Sequence, residues 1–332
     1  MFLSEYLMFL FKTFTIVLSI ALVFFAYFYI KSRLKHSKED GLLIIKDLSH
    51  HFQEVKLQMI KSVLHKNQIK SILKEFKKLL KEKRKKDDHA NTYVLKFNGN
   101  IKATAVESLR EEITAILSVA NKKDSVVLIL ESPGGTVSGY GLAASELNRI
   151  RNKGIHLTII VDKVAASGGY MMACIANKII AAPFAIIGSI GVISQTPNFH
   201  QLLKDRGVEF EQITSGKYKR TVTMFGKNTE EDRKKLQSEL EDIHNLFKSL
   251  IKDKRPSIDI DKISTGEYWL ATKAKELNLV DDLMTSDEYL MKLHESGNNI
   301  YAIEYKKEQT LMNKFSIACN SLKNIFSTKY NI

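Results

Sequence analysis

The chain has 332 residues, 44% of them hydrophobic, which is enough to bury a sizeable core in one or two domains. Its formal charge of +13 is unevenly placed: residues 31–90 hold 17 Lys/Arg against 8 Asp/Glu, so the remainder is close to neutral and no basic surface over the whole chain is implied. Two cysteines, Cys174 and Cys319, exclude a disulfide framework and a cysteine zinc site, and no metal or cofactor is expected.

Residues 13–30 carry no charge, and beyond Lys12 the apolar run extends back to Leu7. Residues 7–30 are therefore expected to cross a bilayer as a single anchor in contact with lipid. A cleaved signal peptide would need small residues at its cleavage site, and residues 24–30 offer no such pattern. Lys31, Arg33, Lys35 and Lys38 follow the span directly, so the positive-inside rule places the bulk of the chain in the cytoplasm.

Residues 31–90 read as a basic linker, helical over 42–86. Leu48, Phe52, Val55, Met59 and Val63 recur at spacings of three and four, as do Ile69, Ile72, Phe76 and Leu79. A solvated spacer is the first expectation and a basic helix on anionic lipid the second. Nucleic-acid binding is not expected, because the basic run 81–86 has no interleaved aromatics and matches no binding motif. The domain boundary is placed near Asp87, Asp88 and His89.

From residue 93 strands and helices alternate. Strands are expected at 93–97, 126–130, 157–161 and 178–181, and helices at 105–119, 138–151 and 167–176. Repeated βα crossover predicts an α/β domain over 91–305, with a mostly parallel sheet flanked by helices. Ser132-Pro-Gly-Gly135 sits between strand and helix, as a plain turn or as one whose N–H groups approach a ligand. Ser167 falls where a strand becomes a helix, followed by Gly168 and Gly169. It is either a simple N-cap or a nucleophile whose neighbouring N–H groups hold an oxyanion. Residues 179–194 score as a second span, but Pro183, Gly188 and Gly191 break them, so core strand and turn are expected. A short helix is placed over 198–207. In 214–221 Lys217 and Lys219 are both candidate bases, or else solvated loop lysines. Thr229-Glu-Glu-Asp232 opens a long helix ending before Pro256. A helix and a short exit strand are expected within 265–283, with Asn278 ending the helix. The tail 306–332 carries Leu311, Phe315, Leu322, Ile325 and Phe326 at helical spacing and could dock on a partner or on membrane.

Four stretches stand in one order: Ser132-Pro-Gly-Gly135, Ala166-Ser-Gly-Gly-Tyr170, Ile187-Gly-Ser-Ile-Gly-Val192 and Ser215-Gly-Lys-Tyr-Lys219. Together they resemble the signal peptide peptidase A family of serine proteases, from the anchor to about residue 310. The resemblance implies a Clp-protease/crotonase-like α/β fold and a Ser-Lys dyad without a catalytic histidine. It makes Ser167 the nucleophile, Lys219 the base at the fifth position of Ser-Gly-x-x-Lys, and Ser189 the residue that orients the lysine. The oxyanion donors would be the N–H groups of Gly135 and Gly168. It further implies ring-like homo-oligomers in which one subunit's serine meets a neighbour's lysine. The substrates would be unfolded segments or signal-peptide remnants, and the domain would stand on the outer face of a bacterial inner membrane, opposite to the charge count. Glu131, where many relatives carry Asn, and Asn278, in place of the usual glycine, depart from the pattern without touching the dyad. Two other classes remain: an acyl-CoA enzyme on the related crotonase fold, which needs no Ser167–Lys219 pair, and an inactive membrane scaffold.

Overall fold

Apolar β-branched runs make the strands, and two layers of helices cover the sheet they build. The structure, a computed structural model, describes residues 2–35, 41–64 and 90–307. Its contacts separate two units, residues 1–43 with 305–332, and residues 44–304. The first unit contains α1 (Phe2–Lys35). Its segment Ser4–Tyr29 has 26 residues at a mean hydropathy of 2.3, long and apolar enough to cross a membrane. The hydroxyls of Thr13 and Ser19 donate back to the carbonyls of Phe9 and Thr15, so these polar groups are satisfied within the helix.

The main sheet takes the order β1 (Leu42–Asp47), β10 (Asn299–Lys306), β2 (Asn91–Asn98), β3 (Ser125–Glu131), β4 (His156–Val161), β6 (Lys178–Ala181), β9 (Asp282–Leu283). From β10 to β9 every pairing is parallel. Side chains alternate across it. Leu95, Phe97, Leu128, Leu130 and Ile159 face a large core roofed by α3 (Val106–Val119) and α4 (Val137–Asn152). Val94, Val127, Ile160 and Ile180 face the other way, onto α2 (Leu48–Val63) and α10 (Ser286–Glu295). Burial on both faces is what makes β3 and β4 continuous apolar runs.

A second, small sheet leans on the first: β5 (Val164–Ala166), β7 (Ile186–Gly188) and β8 (Tyr268–Leu270), with β5 parallel to β7 and β7 antiparallel to β8. After β5 comes α5 (Gly168–Ala173), and α6 (His200–Asp205) interrupts the stretch after β7. The long α7 (Glu230–Lys254) begins on a complete capping box between Thr229 and Asp232. Then α8 (Ile260–Ile263), β8 and α9 (Ala271–Glu276) lead to Asn278, whose φ of 61° closes α9.

The linker is corrected at its start. Residues 42–47, expected to be helical, are a strand: four consecutive branched apolar residues suit a sheet, and the Asp47 carboxylate then accepts the His50 N–H at 2.9 Å and starts α2. Residues 44–63 therefore belong to the second unit. Phe52 packs on His294 of α10 with ring centroids 5.5 Å apart. The expected linker segment 65–89 and the tail beyond Lys307 lie outside the described residues.

Candidate active site

The site grows from one strand pairing. Parallel β5 and β7 set Ala166 opposite Gly188, so the next residues, Ser167 and Ser189, leave adjacent strands side by side. Neighbouring strands lie about 4.8 Å apart. Both serines take φ of 52°, which L-residues rarely adopt and which costs on the order of 1–3 kcal/mol. The Ser167 N–H donates to the Gly188 carbonyl at 2.8 Å, which locks the two turns together. Ser167 stands at the N-cap of α5 but makes no side-chain cap hydrogen bond. A plain N-cap would spend its hydroxyl on the helix; this one leaves it free for chemistry.

The Ser132-Pro-Gly-Gly135 turn presses against this serine. Gly134 has φ of 92°, and a Cβ there would meet the Ala166 carbonyl and Ser167 Cβ at 2.8 Å and the Gly168 nitrogen at 2.9 Å. No larger residue fits. Ser132 pins the turn to β5, its N–H donating to the Val164 carbonyl at 2.8 Å and its carbonyl accepting the Ala166 N–H at 3.0 Å. Side chains continue the brace. The Gly134 N–H donates to Ser132 Oγ, which lies 2.5 Å from the Tyr140 hydroxyl, and Tyr140 donates to the Asn100 carbonyl at 2.9 Å. Burial pushes the Tyr140 phenol up, so it stays a neutral donor. Tyr140 was not singled out from the sequence. The available signal was a large polar ring between the glycines of the helix's first turns, four positions after Thr136. Gly135 packs on Ile101 and Gly168 on the Tyr140 ring, each too closely for a side chain. Neither the Gly135 nor the Gly168 N–H donates to a loop or turn carbonyl among the described residues.

The two lysines differ. Lys217 Nζ lies 2.7 Å from Glu231 Oε1 and 5.0 Å from the Tyr218 ring centroid. The Glu231 hydrogen bond holds its ammonium well above the usual lysine range, the wrong direction for a base. Lys219 is exposed and, among the described residues, makes no ion pair and no hydrogen bond to Ser167 or Ser189. It lies on the stretch between β7 and α7, where only α6 is regular and where Ile193, Leu202, Val208 and Ile213 are exposed, Ile213 to 95%. The fold thus gathers Ser167, Ser189, Gly135 and Gly168, and within one chain it does not deliver Lys219 to them. Among the described residues no histidine is shown bonded to Ser167: His156 starts β4, at the end of the strand away from Ser167, and His200 Nδ1 lies 3.3 Å from the Phe225 carbonyl. No group of three or more His, Cys, Asp or Glu that could hold a metal occurs among the described residues.

Residues 1–147 match the family description "Peptidase family S49 N-terminal" and residues 149–300 match "Peptidase family S49". The chain is 47% identical over 296 residues to "Probable protease SohB" of Haemophilus influenzae, covering 85% of this chain and 83% of that one. A second "Probable protease SohB", from Buchnera aphidicola subsp. Schlechtendalia chinensis, is 46% identical over 305 residues and covers 87% and 99%. Among solved structures, a ClpP1 mutant from Listeria monocytogenes aligns at a TM-score of 0.38 with 13% identity, over 60% of this chain and 92% of that one.

Proposed function

Because this chain belongs to peptidase family S49, we propose that it is a membrane-anchored serine endopeptidase working through a Ser167–Lys219 dyad. One observation carries this reading: the register Ala166↔Gly188 sets two strained serines beside each other, with Gly134 packed against the first. Strain at a turn that presents a free hydroxyl is a mark of a nucleophile.

In the proposed reaction Ser167 Oγ attacks the scissile carbonyl while neutral Lys219 takes the hydroxyl proton. The carbonyl oxygen becomes an oxyanion held by the Gly135 and Gly168 N–H groups. The intermediate collapses, the C–N bond breaks, and the lysine ammonium returns its proton to the leaving amine. Water then attacks the acyl-serine, giving a proton to the lysine; the bond from Ser167 Oγ to the acyl carbon breaks, the lysine ammonium returns that proton to Oγ, and the acid leaves. Ser189, beside Ser167, orients the lysine.

A lysine serves as a base only where water is kept from it, because burial disfavours the ammonium. Lys219 is exposed in a single chain, on a stretch whose apolar residues also lack cover. A second copy that covers this stretch and brings Lys219 to its own Ser167 answers both needs, so the working form is a homo-oligomer with the dyad shared between chains. The apolar α1 tethers it to a bacterial inner membrane, and the substrates are extended peptides such as unfolded segments or signal-peptide remnants.

A fluorophosphonate probe tests the nucleophile. Labelling of the full-length protein should map to Ser167 and vanish in Ser167→Ala. A proteolytically active preparation that resists the probe, or undiminished labelling of Ser167→Ala, contradicts the reading.

A further inference from the structure

Ser189 is held from behind by a segment that none of the four motifs contains. The Ser189 N–H donates to the Glu267 carbonyl at 2.6 Å, the Gly266 N–H donates to the Ile190 carbonyl at 3.1 Å, and the Gly191 N–H donates to the Ser189 carbonyl at 3.0 Å. The first two bonds continue the β7–β8 ladder, where Gly188 faces Tyr268, one and two residues past the strand ends, and the third closes a turn around Ile190. They are what hold a non-glycine residue at φ of 52°. The two turns touch: a Cβ on Gly191 would meet Gly266 Cα at 3.2 Å. Beneath them lies Trp269, the single tryptophan of the chain, whose ring atoms would stand 2.9 and 3.0 Å from a Cβ on Gly188. The side chains of Thr265 and Glu267 tie the loop to itself, Thr265 Oγ1 donating to Glu267 Oε2 at 2.7 Å.

We propose that the loop Thr265-Gly266-Glu267, with Gly191 against it, is the positioning element of the site: through the Glu267 carbonyl it sets where the Ser189 hydroxyl points, and so how Lys219 is presented to Ser167. This rests on the Ser167–Lys219 reading above. The loop touches neither substrate nor reacting atoms. Its effect is geometric, and a displacement of about 1 Å at such a position can lower a rate a hundred-fold. Ser189 donating to the lone pair of the neutral amine favours the form that acts as base. Losing that alignment therefore lowers turnover and moves the rise of kcat with pH to higher pH, while the peptide's own contacts are left alone.

The test is Gly191→Ala in the full-length oligomer. Gly191 has no positive φ, so alanine adds no backbone strain and acts only as a wedge against Gly266. Gly141→Ala, with nothing within 4 Å of the new methyl, is the control. The expected result for Gly191→Ala is a fall in kcat of about ten-fold or more with KM within about two-fold, an upward-shifted pH limb, and a changed Trp269 emission. The control keeps wild-type values. Should Gly191→Ala fail to fold, Thr265→Ala removes only the hydroxyl that ties the loop, and a smaller change in the same direction is expected. Wild-type kcat and pH limb in the folded variant overturn the proposal, and so does a loss of kcat that follows the folded fraction with the limb unmoved. Failure of the dyad reading looks different: the wild-type protein itself would then lack probe labelling at Ser167.

Discussion

Ser167 and Ser189 share a positive φ of 52° and share a position, each one residue past the end of a strand in the same parallel pair. The roles proposed for the two lysines rest on the family pattern and on the partner that occupies Lys217. Lys217 is bound to Glu231, and that exposed pair contributes little to stability. Lys219→Ala should therefore lower kcat by about 10²–10⁴-fold, whereas Lys217→Ala should stay close to wild type; the opposite ranking in peptide hydrolysis would reassign the base. Gly134→Ala tests the turn. Its methyl would strike the Ala166 carbonyl and Ser167 Cβ from a backbone at φ of 92°, so activity should fall to background and thermal unfolding should come earlier. A variant with wild-type turnover would show that the turn does not bear on Ser167. Ser167 and the Ser132-Pro-Gly-Gly135 turn stood out in the sequence because they sit where strands end, whereas the roles given to Ser189, Gly135 and Gly168 came from the family resemblance. Tyr140 could not, because its part depends on reaching Ser132 and Asn100 from the next helix.

Elements that run mostly within themselves were readable, and those that depend on a distant partner were not. The capping box of α7, the apolar runs of β3 and β4, and Asn278 closing α9 all carry local signals. In contrast, β8 is three residues whose only reason to extend is β7, and β1 was mistaken for helix because Leu48 onward imposes a helical period on what precedes it. The end of α7 supplies an element-scale prediction. Arg255 is buried and donates to both Asp281 carboxylate oxygens, at 2.7 and 2.8 Å, and to the Asn278 carbonyl at 2.8 Å. Burial works to raise the Asp281 carboxyl, but the hydrogen bonds from Arg255 and the Ile179 N–H outweigh it and hold the group below the usual carboxylate range. Asp281→Asn leaves Arg255 without its counter-charge and should cost about 3 kcal/mol near neutral pH. A depressed folded pKa gives stability that is complete above the unfolded value of about 3.9 and is lost as pH falls through the lower folded value. Urea midpoints of wild type and variant should therefore differ at pH 7 and converge below about pH 4; a gap that persists undiminished in acid would remove Asp281 ionisation from the explanation.

At the scale of the whole molecule the parallel α/β architecture and the apolar N-terminal helix were legible, because both are written as runs and periods. The proposed assembly rests on the family resemblance, because nothing local in a loop sequence marks a surface that a second copy would cover. On the stretch between β7 and α7, Ile193, Leu202, Val208 and Ile213 are exposed, and among the described residues Lys219 makes no ion pair there. The proposed sharing of the dyad makes a direct demand on mixtures. Ser167→Ala and Lys219→Ala proteins, each inactive alone, are combined under conditions that exchange subunits, and formation of mixed oligomers is confirmed by differential tags. Peptide hydrolysis should return, since an intact Ser167 on one chain then meets an intact Lys219 on the next. Mixed oligomers that form and stay inactive would contradict a dyad shared between chains.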